Sequence, residues 1–383
     1  MLFSAAVAIA YAAWTIRSGV RLAVDTPTYS LWADALIGVG FNFSEYLGAQ
    51  QFVAPPIFYL LWITVVAAMK TAFGSSWMTG VVVLNWVAFS LGAYALIAAV
   101  RRLTKSGASM LLTALLLLVA GDLLIFVPFV VSDVMFWAIS TGVLVCGVSL
   151  AAADGHDPSA RTRTIIAGSA LIVVAVMFRP VAIPLIGFWI VSIVTFTFRR
   201  LTDRFATPLL VLGVVTAFVA ILAHAYILAD PPASLPAMLS MVGSEYRSGM
   251  FVHQSSPPML VAPATDFIGF VRVTLQKLLF FITPWLPHYS AAHTAINLLF
   301  FVPGYALSIA AISQLRRLAP PQQRAVVVLA LFVLFVAVFH AMTLIDSDHR
   351  YRLPILPAIL MLASIGLESA RRPRTLASIA RAK

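Results

Sequence analysis

Twelve apolar runs separated by short polar stretches constrain this chain more than any other feature. They lie near 2–16, 55–73, 79–100, 110–130, 132–153, 164–178, 180–198, 206–229, 267–286, 292–314, 325–345 and 352–368. Each is long enough for a helix, and none alternates every second residue as a barrel strand would. Of the 383 residues, 61% are hydrophobic and 10% are charged. A soluble domain carries about 25% charged residues. So much apolar surface cannot be hidden in one water-exposed globule, so the solvent is largely lipid. The expected fold class is an all-α polytopic membrane protein, forming one domain over 1–383 with no separate soluble domain.

The formal charge of +11 comes from short basic clusters between the apolar runs. That is how membrane topology is encoded, and it argues against a nucleic-acid partner. The clusters are Arg101/Arg102/Lys105, Arg161/Arg163, Arg199/Arg200/Arg204, Arg316/Arg317/Arg324 and the tail from Arg371. They share one side only if 55–73 and 267–286 do not cross. Lys70 lies in the first of these segments; Arg272 and Lys277 lie in the second. Both then read as juxtamembrane helices in the outer interface. About ten transmembrane helices remain, with both termini cytoplasmic. Sixteen of the 25 Lys and Arg residues then face the cytoplasm, against four of the 14 acids. The outer face receives two long segments, 17–78 and 230–291. Loops carry function, so the chemistry is expected there. Short loops and an Ala/Arg-rich composition point to a bacterial inner membrane.

The remaining polar residues narrow the site. In LAVDTPTYSLWADALIGVG, Thr26-Pro27 reads as an N-cap followed by proline at the first helical position, opening a helix to about Gly38. Asp25 just before it is either a solvated cap or a carboxylate kept ionised by the helix dipole. Asp34 and Glu45 follow and read as ordinary exposed acids. Asp122 falls at membrane depth, where a charge is costly and usually paired or functional; the sequence does not name its partner. Asp133 opens a helix at the outer end of its span. Arg179-Pro180 sits at an outer junction between spans. The stretch DSDHRYRLPILP adds His349, Arg350, Tyr351 and Arg352. Arginine forks match phosphate oxygens, and an interfacial anchor belt is the alternative. The second outer segment holds Tyr246, Arg247, His253, His288 and His293. No His pair has metal-site spacing, and there is no HExxH, P-loop, GxSxG or dinucleotide fingerprint. No cofactor is required, and a divalent metal is left open. Cys146 stands alone and reads as a small buried residue.

The motif order "VDTPTY", "APPIFYLLW", "FGSSW", "VSDVMFW", "FRP", "DHRYRLPILP" resembles the GT-C superfamily of integral membrane glycosyltransferases. It is similar to the branch of protein O-mannosyltransferases and the bacterial aminoarabinose transferase of lipid A. The resemblance implies a polyprenyl-phosphate sugar as donor substrate, an inverting transfer, and a catalytic acid in the first outer loop. Carried over, Asp25 is the general base and Asp133 a second acid. Arg179, Arg350 and Arg352 are candidates for the donor phosphate, and Tyr29, Tyr59, Tyr351, Arg247 and His349 for other substrate contacts. Two departures stand out. Asp25-Thr26 replaces the adjacent acidic pair of some members, and a short basic tail stands where several carry a soluble domain.

The expected activity is therefore transfer of a sugar to an acceptor hydroxyl on a lipid, glycan or protein at the periplasmic face. One alternative is a transporter or lipid flippase using Asp122 along a pathway. Another is an O-antigen ligase or polymerase working through Arg247 and His253.

Overall fold

The computed structural model describes residues 1–49, 58–153, 157–197, 213, 246–247, 250–252, 259–260, 262–286, 289–343 and 349–371. The apolar run expected at 206–229 lies outside the described residues apart from Gly213, as do Pro55, Pro56, His253 and His288.

Within the described residues the apolar runs fold as helices. The first ten are α1 (Leu2–Ser18), α2 (Thr26–Gly38), α3 (Phe43–Ala49), α4 (Leu60–Phe73), α5 (Trp77–Thr104), α6 (Gly107–Leu118), α7 (Gly121–Phe126), α8 (Asp133–Ala152), α9 (Pro158–Phe178) and α10 (Ile183–Thr197). After a short antiparallel pair, β1 (Met250–Val252) and β2 (Met259–Leu260), come α11 (Phe267–Ile282), α12 (Ala291–Ser313), α13 (Pro320–Thr343) and α14 (Leu356–Arg371). A 3₁₀ segment, His349–Ile355, leads into α14.

Several helix starts follow from side-chain caps that satisfy orphan backbone donors. Asp157 accepts from Ser159 N at 2.9 Å and Ala160 N at 3.0 Å, with Pro158 behind it. Asp266 accepts from Gly269 N at 2.6 Å to open α11, and Ser290 from His293 N at 3.2 Å to open α12.

By length and composition, six helical stretches among the described residues suffice to cross a membrane: Leu60–Thr104, Asp133–Ala152, Pro158–Phe178, Ala291–Ser313, Pro320–Ala341 and Arg350–Arg371. Leu2–Ser18, Gly107–Leu118 and Ile183–Val194 are shorter apolar helices. The first stretch is composite, because a 3₁₀ turn at Gly74–Ser76 divides α4 from α5. Taken alone, the 14 residues of α4 reach about 21 Å at 1.5 Å per residue, short of a hydrocarbon core of about 30 Å.

The core is built on α8, α13 and α14. From Leu356 to Gly366 every residue of α14 is buried, whereas α9 buries only Gly168, Ala175 and Phe178. An aromatic stack ties α1, α5 and α8 together: Tyr11 lies 3.7 Å from Phe89, and Phe89 5.4 Å from Trp137, centroid to centroid. Tyr11 also donates to Leu117 O at 2.8 Å, satisfying its hydroxyl in the apolar interior. The helices α12 and α14 meet through small residues, as close backbone approach in lipid requires. A Cβ on Gly366 would stand 1.9 Å from Leu307 O.

At one end of the bundle Gln322 donates to Leu103 O at 2.9 Å and Arg324 to Ala151 O at 2.7 Å. Arg101, Arg102 and Lys105 close α5 there, and Arg316 and Arg317 precede α13 there. The candidate site residues gather at the other end.

The expected run 110–130 is not one helix. It breaks at Val119–Ala120, where Ala120 takes ψ 75 and leaves helical geometry. A Cβ on Gly121 would come 2.8 Å from Ile296 Cγ2 and 2.9 Å from Asn297 Oδ1. Glycine at the break thus lets the start of α7 press directly against α12.

Candidate active site

Two loops dock to bring distant acids together. The strand-like residue Arg21 donates its N–H to Pro128 O at 2.9 Å and accepts from Val130 N at 3.0 Å. Thr26 Oγ1 donates to Val130 O at 3.1 Å and accepts from Ala23 N at 2.9 Å. Asn85 on α5 holds the same strip through Phe129 O at 2.8 Å. This corrects the sequence expectation for Thr26. It is the first residue of α2 and a buried tether, and Asp25 occupies the N-cap position. The Asp25 side chain makes no capping hydrogen bond.

That carboxylate turns instead to the far end of the chain. Arg350 Nη1 donates to Asp25 Oδ2 at 2.6 Å. The Asp25 side chain remains 35% exposed while that of Arg350 is 10% exposed. Asp133, at the first position of α8, pairs with Arg179, the residue that ends α9. Both of these side chains are buried, Asp133 to 3% exposure. The two expected acids therefore differ: one is reachable, the other enclosed with its counter-charge.

Tyr29 and Tyr59 lie within electrostatic reach of both acids. Their rings lie 6.1 Å apart, with Trp32 6.1 Å from each and Trp62 5.9 Å from Tyr29. Burial pushes the Tyr29 hydroxyl well above the ordinary tyrosine range; Arg179 opposes this, and Tyr59, Asp25 and Asp133 reinforce it. Burial likewise raises Tyr59, again with Arg179 opposing and Asp25 and Asp133 reinforcing. Both tyrosines stay neutral and can donate hydrogen bonds at physiological pH. Each feels both acids, so Asp25, Asp133, Arg179, Tyr29 and Tyr59 form one electrostatic unit.

A second cluster lies under the first. Asp122, in the first turn of α7, meets Arg352 Nη2 at 2.9 Å, His293 Nε2 at 3.0 Å and Asn297 Nδ2 at 2.9 Å. The partner that the sequence left unnamed includes, among the described residues, these three side chains. Arg352 also donates to Thr283 O and, at 2.9 Å, to Tyr289 Oη, and its guanidinium lies 4.9 Å from the Phe301 ring. Arg352 is 1% exposed.

The 3₁₀ segment separates neighbouring side chains. At 3.0 residues per turn, successive residues point about 120° apart. Arg350 reaches Asp25, Tyr351 packs 5.4 Å from His340 on α13, and Arg352 reaches Asp122. Pro354 and Pro357 lack N–H donors, so an ordinary α-helical ladder cannot be completed across this stretch. His349 starts the segment. Arg247 is exposed beside Tyr246, whose buried ring packs 5.1 Å from Phe270 with the Lys277 ammonium 4.7 Å from its centre. Burial pushes the Tyr246 hydroxyl up to about 12.

Asp34 is an exposed brace: Lys70 Nζ binds it at 2.6 Å and Ser30 Oγ at 2.7 Å, linking α2 to α4. Among the described residues no group of three His, Cys, Asp or Glu side chains could hold a metal ion. The sequence reading overlooked Asn297, Tyr289 and Asn85. Asn85 and Asn297 carried a usable signal, as polar amides inside apolar runs at depths where such groups need partners.

No family model matches the chain, and no curated protein matches it. Among solved structures, it is similar to ArnT from Cupriavidus metallidurans bound to undecaprenyl phosphate, with TM-score 0.56 and 16% identity over 98% of this chain and 61% of that one. The same ArnT in the apo state gives TM-score 0.51 and 17% identity over 98% and 60% of the respective chains. The chain thus spans about three-fifths of the length of these structures. The likeness shows an ArnT-like polytopic helical fold, in agreement with the all-α polytopic fold class expected from the sequence.

Proposed function

We propose that this chain is a membrane glycosyltransferase that moves a sugar from a polyprenyl-phosphate donor to an acceptor hydroxyl, with Asp25 as general base. The observation that carries the reading is the Asp25–Arg350 pair at 2.6 Å, within electrostatic reach of two neutral tyrosines at the end of the bundle away from the described basic clusters. The ArnT-like fold supports it, and the ligand of that ArnT structure supports the donor class.

The chemistry asks for little. The acceptor oxygen attacks the anomeric carbon, its proton passes to the Asp25 carboxylate, and the bond from that carbon to the phosphate oxygen breaks. The leaving group is a polyprenyl phosphate, whose growing negative charge needs a positioned cation. Arg350 already stands beside the base. When the donor phosphate engages Arg350, the guanidinium shifts its hydrogen bond from Asp25 to phosphate and frees the carboxylate for the acceptor hydroxyl. Arg179 adds positive field from its buried pair with Asp133. The lipid tail stays in the bilayer, and the active site faces the periplasm of a bacterial inner membrane. The acceptor is a lipid, glycan or protein hydroxyl.

The test is transfer by the purified full chain from a radiolabelled undecaprenyl-phosphate sugar, followed by analysis of the glycosylated envelope fraction. Label moving to a glycoconjugate supports the reading. Uptake of sugar or lipid into vesicles with no covalent product would favour a transporter.

A further inference from the structure

We infer that Asp122 and Arg352 form a positioning latch that sets Arg350 against Asp25. The inference rests on the transferase reading for its catalytic consequence, while the latch itself is a structural claim.

The geometry separates the two arginines of HRYR. Arg350 is part of the reachable pair; Arg352 is 1% exposed and shares its guanidinium among Asp122, Thr283 O and Tyr289 Oη. A phosphate ligand would have to displace all of these from a buried site. Arg352 is therefore better suited to anchoring than to binding the donor.

What it anchors is specific. Asp122 is fixed on three sides, by Arg352 from the 3₁₀ segment and by His293 and Asn297 from α12. Asn297 also donates to Pro284 O at 3.1 Å, and His293 stacks on Tyr289 at 4.0 Å. The network thus joins α7, Thr283, Pro284 and Tyr289, α12 and the 3₁₀ segment. Arg350 lies two residues from Arg352 on that segment, facing another way. A shift of the anchor moves Arg350 with it. A misplacement of about 1 Å far from the chemistry can cost about a hundredfold in rate. A buried pair adds little net stability, because desolvation offsets the attraction, and it serves here to fix one geometry.

The experiment uses the full chain in nanodiscs and four variants: Asp122→Asn, the neutral double Asp122→Asn/Arg352→Gln, Arg350→Ala, and the double Asp122→Asn/Arg350→Ala. The neutral double variant removes both charges together and so guards against an orphaned buried charge. Hydrogen exchange of peptides covering 349–355 is read first, because it requires no activity. Exchange there should rise at least several-fold in the Asp122→Asn and neutral double variants, with peptides from the body of α14 unchanged. Transfer is then read as a mutant cycle with an undecaprenyl-phosphate sugar. Asp122→Asn should lower kcat by about tenfold or more with little change in donor KM, yet lower it less than about twofold when Arg350 is already alanine. Unchanged exchange at 349–355, or fully additive losses in kcat, would overturn the latch. If the wild-type chain transfers no sugar, the transferase reading fails and hydrogen exchange alone decides the latch.

Discussion

Arg350 and Asp25 lie 325 positions apart in the chain and meet at 2.6 Å. The pair joins the entrance of α2 to the segment before α14, so the two ends of the described chain meet at one site. In the proposed transferase, a base held by the cation that receives the leaving group is a resting arrangement that donor binding opens.

Arg350 should therefore matter more to turnover than to stability. Arg350→Ala is expected to lower kcat by on the order of 10²–10³, the usual loss when a group aimed at developing charge is removed. Arg350→Lys should recover part of it, because charge returns without the fork. Steady-state transfer rates at saturating donor, beside melting temperatures that stay near wild type, check both.

The Asp133–Arg179 pair should behave differently. Both side chains are buried, so Arg179→Met leaves a carboxylate without its counter-charge and should destabilise by about 3–5 kcal/mol. Asp133→Leu/Arg179→Met removes both charges and should regain most of that. Thermal unfolding in detergent measures the difference. A double variant no more stable than the single would show that the pair contributes beyond charge compensation.

The α12–α14 contact makes a steric prediction. Gly366→Ala places a methyl where Leu307 O stands 1.9 Å away, and backbone must move. A loss of about 1–3 kcal/mol is expected. Gly38→Ala meets nothing within 4 Å and should stay within about 0.5 kcal/mol of wild type. Equal melting temperatures for the two variants would contradict the packing described.

Much of this architecture was legible because hydrophobic run length and basic clusters are local signals. The helix from Thr26 to Gly38 and the start at Asp133 follow from signals readable within a few residues, a proline in the first turn of one and an acid in the first turn of the other. The break inside 110–130 was not, since a leucine-rich run does not reveal where α12 will press against it. Asp122 was readable as costly, but its partners come from positions 171 to 230 residues later. The separate roles of Arg350 and Arg352 were also hidden. They depend on a 3₁₀ turn at His349–Ile355, where the sequence reading already began its last helical run at 352. Thr26 was misplaced by one residue as the cap, because its hydroxyl has a better partner in Val130, 104 residues away.

The central claim is that Asp25 receives the acceptor proton. Asp25→Asn is nearly isosteric and keeps a hydrogen-bonding side chain beside Arg350, so the fold and donor binding should persist. Transfer from an undecaprenyl-phosphate sugar by this variant, with membrane insertion and melting temperature measured on the same preparation, is the direct test. The account predicts a fall in kcat of about 10²-fold or more in a folded protein. Wild-type turnover by Asp25→Asn would contradict it.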